Sequence, residues 1–353
     1  MTRLRLLALA LAAVLATGCT VDNSPATMGD DDAGPDISPS PTPTPDPTVP
    51  HCSALDPRTV PATVAALPDA GEAPYLAVIN SAQRDLRVMI YIMGRGGIID
   101  ALKAKAQAGV KVQMILDGVS QKDVNQKYYD ELAAAGVQVA WSDPSFSYMH
   151  AKTIIADGKL ATVSSGNYSL VCSIQRERNF VVTLSDPHDV ADLVALFDAD
   201  WEHRAVDLTC TRLVIAPINA RTRLLDLIRS AQRTLDIESM QLADTDVRAA
   251  IAERSRAGVA VRAVLAPSSW IDANAQAAQF LATLGVTARW MTDPNVHVKA
   301  LLVDGERAYT GSENFSYTSL NKNREVGVIL TEAGGVKVIK DIFERDYAAG
   351  TNF

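Results

Sequence analysis

The sequence has little cysteine, few histidines and no surplus of positive charge, and each shortage narrows what the chain can be. Four Cys in 353 residues are too few for a disulfide-framed fold, and no pair has the spacing of a structural metal site. Lys and Arg number 33 against 41 Asp and Glu, a formal net charge of −8. Residues 1–50 hold two Arg against six Asp, so the remainder is acidic as well. Binding along a nucleic acid backbone calls for a broad basic face, which makes nucleic acid a disfavoured partner. Beyond the N-terminal apolar run there is no stretch suited to crossing a bilayer. What is present is 48% hydrophobic sequence, enough for one large core or two ordinary ones.

The chain opens "MTRLRLLALALAAVLATGC", with Arg3 and Arg5 ahead of the apolar run, which reads as an export signal over residues 1–19. "LATGC" resembles the bacterial lipoprotein signal, in which the Cys, here Cys19, becomes the lipidated first residue. Residues 20–50 end "SPSPTPTPDPTVP" and are too poor in apolar residues to fold, so they read as an extended tether. The expectation is an exported chain, anchored to a membrane through an N-terminal lipid or released to the periplasm or exterior, and monomeric. With Cys19 lipidated, Cys52, Cys172 and Cys210 allow one disulfide, and the sequence does not choose the pair.

The globular remainder repeats itself. "SAQRDLRVMIYI" from Ser81 returns as "SAQRTLDIESMQ" from Ser230, and "AGVKVQMIL" from Ala108 as "AGVAVRAVL" from Ala257, both 149 residues on. Self-similarity so sustained means two copies of one structural unit, here divided as 51–208 and 209–353. In the first copy a helix ahead of Ser81 leads to a strand over Leu86–Met93, a helix over Ile98–Gln107, a strand over Val110–Leu116 and a helix over Asn125–Ala135. The alternation predicts an α/β fold, each lobe a mixed β-sheet flanked by helices.

"MHAKTIIADGKLATVSSGN", Met149 to Asn167, and "VHVKALLVDGERAYTGSEN", Val296 to Asn314, carry the same polar residues in step. Asp157-Gly158 and Asp304-Gly305 are tight-turn signals between β-branched runs, so each segment reads as a hairpin. His150 and Lys152, like His297 and Lys299, leave one face of a strand. A two-residue turn sets Ser165 opposite His150 and Ser312 opposite His297, with Asn167 and Asn314 just beyond. Asp157 and Asp304 project elsewhere and read as turn formers. "GRGG" from Gly94 lacks nucleotide-loop spacing and reads as a strand-to-helix loop that can still line the site. His188 and His203 have no repeat partner and read as structural or solvated, and His51 belongs to the tether junction.

This arrangement resembles the phospholipase D superfamily motif, His-x-Lys-x4-Asp-x6-Gly-Ser-x-Asn. The second copy matches in full through His297, Lys299, Asp304, Gly311, Ser312 and Asn314; in the first, Ser164 replaces the Gly. The resemblance implies two lobes about a pseudo-twofold axis with both motifs at one active site. It implies His150 as nucleophile and His297 as acid and base, with Lys152, Lys299, Asn167, Asn314, Ser165 and Ser312 holding the phosphoryl group. No cofactor and no metal enter, since two ammonium groups beside the histidines would repel a divalent cation. In similar proteins an acidic residue eleven positions after the motif Asn orients a histidine. Glu325 stands there in the second copy, but Arg178 does in the first. Glu177, one residue earlier, faces the other way on a strand unless a one-residue deletion brings it into place.

The chemistry fits a phosphodiester, whose displacement spreads negative charge over the phosphoryl oxygens. The leading expectation is hydrolysis of a glycerophospholipid to phosphatidate and free alcohol through a phosphohistidine. The alternatives are a nuclease of the same superfamily, a phosphatidyl transferase as in cardiolipin synthases, and a non-catalytic phospholipid-binding protein.

Overall fold

The computed structural model describes residues 53–353. The export signal, Cys19, the tether, His51 and Cys52 lie outside the described residues; Cys210 is disulfide-bonded. Two mixed eight-stranded sheets flanked by helices account for most of the rest.

The first copy runs β1 (Thr63–Leu67), α1 (Ala73–Ser81), β2 (Asp85–Ile90), α2 (Gly97–Gln107), β3 (Lys111–Leu116), α3 (Lys122–Ala134), β4 (Gln138–Trp141), β5 (Thr153–Ala156), β6 (Leu160–Ser164), β7 (Glu177–Leu184) and α4 (Pro187–Trp201). The second runs β8 (Val214–Ala216), α5 (Ala220–Arg229), β9 (Thr234–Ser239), α6 (Thr245–Arg256), β10 (Ala260–Leu265), α7 (Ala273–Thr283), β11 (Thr287–Trp290), β12 (Asn295–Val296), β13 (Lys299–Val303), β14 (Arg307–Gly311), α8 (Tyr317–Asn321), β15 (Glu325–Leu330), α9 (Ala333–Ala349) and β16 (Thr351–Asn352). The first sheet is ordered β1-β7-β6-β5-β2-β3-β4 and the second β16-β11-β10-β9-β13-β14-β15-β8. In each, three parallel strands carry the helical crossovers, and the antiparallel hairpin with the motif joins at their edge.

Period-two alternation sorts the side chains into three cores. Leu86, Val88 and Ile90 on β2 face α1, α2 and α3, whereas Met89 faces the other lobe. On β13, Leu301 and Val303 face lobe 2's own helices, and Ala300 and Leu302 point inward. The inward faces meet in one shared core with Leu193 and Phe197 of α4 and Ile339 and Phe343 of α9. Burying an aliphatic side chain of this kind is worth about 1.5–3 kcal/mol, so the seam between lobes is part of the fold and not a contact of two finished surfaces.

Two devices lock that seam. β12 of the second copy pairs in parallel with the start of β7, Asn295 beside Glu177 and Val296 beside Arg178, and Met149 bridges Arg324 in the same manner. Arg178 binds the Asp346 carboxylate of α9 and the Leu67 carbonyl; Arg324 binds Asp200 of α4, its Nε 2.9 Å from Oδ2, and the Ala216 carbonyl. These are buried ion pairs across the seam, and removing one partner of such a pair typically costs about 3–5 kcal/mol. Arg178, a departure from the motif pattern in the sequence, thus has a structural task on the strand face away from the histidines.

Candidate functional site

The hairpins turn at Asp157-Gly158 and Asp304-Gly305, all four with positive φ, closed by Lys159 N to Ala156 O at 2.9 Å and Glu306 N to Val303 O at 3.0 Å. One further residue bulges, however. Ala156 pairs with Leu160 and Val303 with Arg307, one place beyond a two-residue turn. The shift corrects the predicted register, so Ser165 does not lie opposite His150: Val163 pairs with Thr153, and Ser164 N donates to Lys152 O at 3.0 Å. Ser165 Oγ instead donates to Asn179 Oδ1 at 2.8 Å and accepts from Phe180 N, while Ser312 Oγ accepts from Val326 N at 3.0 Å. Both motif serines therefore tie the hairpin to the next strand.

Asp157 and Asp304 lie in the turns, as the sequence suggested. Asp157 accepts from the backbone N–H of Gln83, Arg84 and Asp85 at 2.8–3.0 Å, and Asp304 does the same for Gln232, Arg233 and Thr234. Partial burial would raise both carboxyls, but these donors outweigh it and hold them below the usual range.

His150, Lys152, Asn167, His297, Lys299, Ser312 and Glu325 are all buried at the seam. Each histidine is positioned by the opposite lobe. His150 N donates to Arg324 O at 2.9 Å and its ring Nδ1 meets Glu325 Oε2 at 2.7 Å. His297 N donates to Arg178 O at 3.2 Å and its Nδ1 meets Asn179 Oδ1 at 3.0 Å, with Glu177 Oε2 at 3.8 Å. Lys152 Nζ donates to His150 O at 2.7 Å and lies over the Tyr91 ring at 5.2 Å; Lys299 Nζ donates to His297 O at 2.6 Å. Among the described residues the Asn314 Oδ1 atom is buried without a hydrogen-bond partner. Burial pulls the His150 imidazole below its ordinary value of 6.5, and Lys152 and Lys299 add to this against the pull of Glu325. A neutral ring with Nδ1–H on a carboxylate presents an Nε2 lone pair. Among the described residues no group of three or more His, Cys, Asp or Glu is placed to hold a metal ion.

The missing carboxylate of the first copy has a definite cause. Ser164 pairs with Val181 and Gly311 with Gly327, so the offset between copies falls from 147 on the hairpin to 146 on the following strand. The extra residue sits in the turn Leu170–Ile174, wound with i to i+5 bonds such as Ile174 N to Ser169 O at 3.1 Å, where lobe 2 has α8. An insertion rather than a deletion has occurred. It brings Asn179 to the place of Glu325, and Glu177 to the place of Asn323, two residues back on the same face.

The Ser164 departure is compensated as well. A side chain at Gly311 would lie 2.4 Å from the Gly327 Cα and 2.5 Å from Glu313 Oε2. Lobe 1 has Gly166 and Val181 at those places, and Ser164 Oγ fills the space, bonded to the Tyr75 hydroxyl at 2.7 Å. Glu313 is a residue that pattern reading missed: fully buried, it accepts from the Tyr309 hydroxyl at 2.6 Å, and burial with the nearby Glu325 charge pushes its carboxyl up to about 8. Gly94 N donates to Tyr168 O at 2.8 Å, which ties the Gly94 loop to the residue after Asn167.

A family model described as "Cardiolipin synthase, PLD-like domain" matches residues 75–201 and again 224–347. A cardiolipin synthase of Alkalihalophilus pseudofirmus is 23% identical over 326 residues, covering 79% of this chain and 64% of that protein. The chain thus spans less than two thirds of that relative's length. Cardiolipin synthase B of Escherichia coli is 37% identical over 79 residues, 20% of this chain and 19% of its own. Among solved structures, phosphatidylserine synthase of Haemophilus influenzae has a TM-score of 0.66 at 11% identity, covering 83% of this chain and 87% of that one. Polyphosphate kinase of Porphyromonas gingivalis gives 0.65 at 18%, covering 87% and 52%.

Proposed function

The chain belongs to the phospholipase D superfamily, carrying the cardiolipin synthase PLD-like domain twice, and from that premise we propose that it transfers a phosphatidyl group from a phospholipid to an alcohol. This replaces hydrolysis as the leading reading, because the relatives matched in sequence are cardiolipin synthases. The carrying observation is the convergence of two His-x-Lys pairs at one buried seam, each imidazole held from the other side.

In the proposed cycle His150 Nε2 attacks phosphorus while its Nδ1–H is held by Glu325. Lys152, Lys299, Asn167 and Asn314 face the phosphoryl oxygens as charge spreads over them; one well-placed donor contributes about 3–4 kcal/mol to such a step. His297 gives its proton to the departing alcohol and then takes one from the incoming alcohol. Gly311 matters by leaving space for Glu313, and Ser165 and Ser312 act by bracing the return strand rather than by touching substrate.

The phospholipid and any membrane attachment belong to this reading. Among the described residues no helix is long and apolar enough to cross a membrane.

Phosphatidylglycerol is a suitable probe, because it carries both a phosphodiester and free hydroxyls. Purified full chain with phosphatidylglycerol vesicles should release glycerol and form a dimeric phospholipid, both lost in His150→Ala and His297→Ala. Phosphatidate as the sole product would return the reading to hydrolysis. Cleavage of a short DNA but not of lipid would make it a nuclease, and binding without turnover would leave only a lipid-binding protein.

A further inference from the structure

The two halves of the site are lined differently at matching positions. Beside His150, Tyr91 follows β2, Asp117 follows β3 and Gln121 precedes α3; 149 residues on stand Met240, Ala266 and Trp270. The first trio is a closed polar network. Gln121 Nε2 donates to the Tyr91 hydroxyl at 2.9 Å, and the Asp117 carboxylate accepts from Gln121 N at 2.7 Å and from Met149 N at 2.8 Å. The Tyr91 ring packs edge-on against His150, centroids 4.6 Å apart.

The second trio is apolar. Met240 and Ala266 are buried, Met240 Sδ 3.7 Å from Lys299 Nζ, and the half-buried Trp270 has its ring centre 6.5 Å from that of His297. One wall is therefore tied up in its own hydrogen bonds, and the other offers a half-buried indole packed on the apolar core that holds Ala266.

We propose that the lobe-2 wall, formed by Trp270 with Met240 and Ala266, seats the acceptor alcohol and favours one that carries an apolar body over water. This deepens the transfer reading and rests on it. In the first step the P–N bond to His150 Nε2 forms as the P–O bond to the departing alcohol breaks, and that alcohol leaves with the His297 proton. In the second the acceptor gives its hydroxyl proton to His297 as its oxygen bonds phosphorus, and the P–N bond breaks to return neutral His150. In-line displacement puts departure and entry on one side of phosphorus, opposite His150 Nε2 and beside His297. That is the side of Trp270. An apolar acceptor covers the indole and displaces water from it, whereas a water molecule gains no partner there.

The test compares wild type and Trp270→Gln, which installs the residue found at the matching place in lobe 1, on phosphatidylglycerol vesicles. Total glycerol release reads the first step; the ratio of dimeric phospholipid to phosphatidate reads the acceptor. In Trp270→Gln that ratio should fall about tenfold or more, whatever the change in total release, the scale on which an apolar pocket discriminates. Trp270→Phe should keep the wild-type ratio. An unchanged ratio in Trp270→Gln with release intact overturns the proposal, and absence of release in wild type overturns the transfer reading beneath it.

A second measurement needs no variant. With wild type and added primary alcohols of rising chain length, transfer relative to hydrolysis should climb with length. A flat response overturns the proposal.

Discussion

The lobes carry the same two residues behind their histidines in opposite order. Lobe 1 reads Glu177-Arg178-Asn179 and lobe 2 reads Asn323-Arg324-Glu325, with the arginines alike on the far face binding Asp346 and Asp200. Asn323 Nδ2 supports Glu325 at 2.9 Å, and Asn179 Nδ2 approaches Glu177 at 3.4 Å. As a result a carboxylate touches His150, whereas an amide touches His297 and its carboxylate stands back. Two rings that share a fold and a spacing are thereby given different electrostatics. A nucleophile and an acid need that difference, which a perfect duplicate could not supply.

The largest effects should test whether the lobes divide the labour in this way. His150→Ala is expected to abolish turnover, a loss on the order of 10⁶-fold in kcat. His297→Ala should cost about 10²–10⁴-fold with a natural phospholipid, but much less in the first step with a p-nitrophenyl ester, whose leaving group needs no proton. Burst kinetics with that ester would read it. The reverse pattern would exchange the two roles.

Intermediate effects should come from the orienting residues. Glu325→Gln is expected to lower kcat/KM about 10–100-fold, the usual scale for such partners. Its acid limb should also move to lower pH, because Glu325 is what resists the downward pull of burial on His150. Asn179→Asp places a carboxylate at His297 Nδ1, on the other ring, and should leave that acid limb unmoved. A pH–rate profile whose acid limb moves alike in both variants would erase the distinction between the lobes.

The smallest effect concerns stability. Glu313 is held at about 8 against its ordinary 4.5, so between those values the unfolded chain loses a proton that the folded one keeps. Stability from this group therefore declines as pH rises across that window. Glu313→Gln removes the term, so its melting temperature relative to wild type should improve from pH 5 to pH 8 by a few degrees. A constant difference across that range would show that Glu313 is ionised in the folded chain. Ser164 and Gly166 in lobe 1 predict no such window there.

Much of this is legible in the sequence. The repeat offset, the α/β alternation and the Asp-Gly turns are local patterns, and α2 and β3 fall within one residue of their expected bounds. Ser165 was misplaced because a two-residue turn and a bulged one look alike in sequence, and the bulge alone shifts every pair by one. Asn179 was missed because counting eleven from the motif Asn holds only for equal turns, and the extra residue of lobe 1 is hidden inside a helical turn. Contact of His150 with Glu325, 175 residues away, leaves no periodic trace. Glu313 occupies the variable position of Ser-x-Asn and is matched by Gly166 in the first copy, so no repeated pattern points to it.

Since each imidazole is braced from the opposite half, a chain holding one copy could have worked only by associating with its twin. Two copies within one chain can differ, as at Tyr91 and Met240 or Asn179 and Glu325, while the rings and lysines stay alike. A symmetric pair of identical subunits could not carry such differences between its two walls.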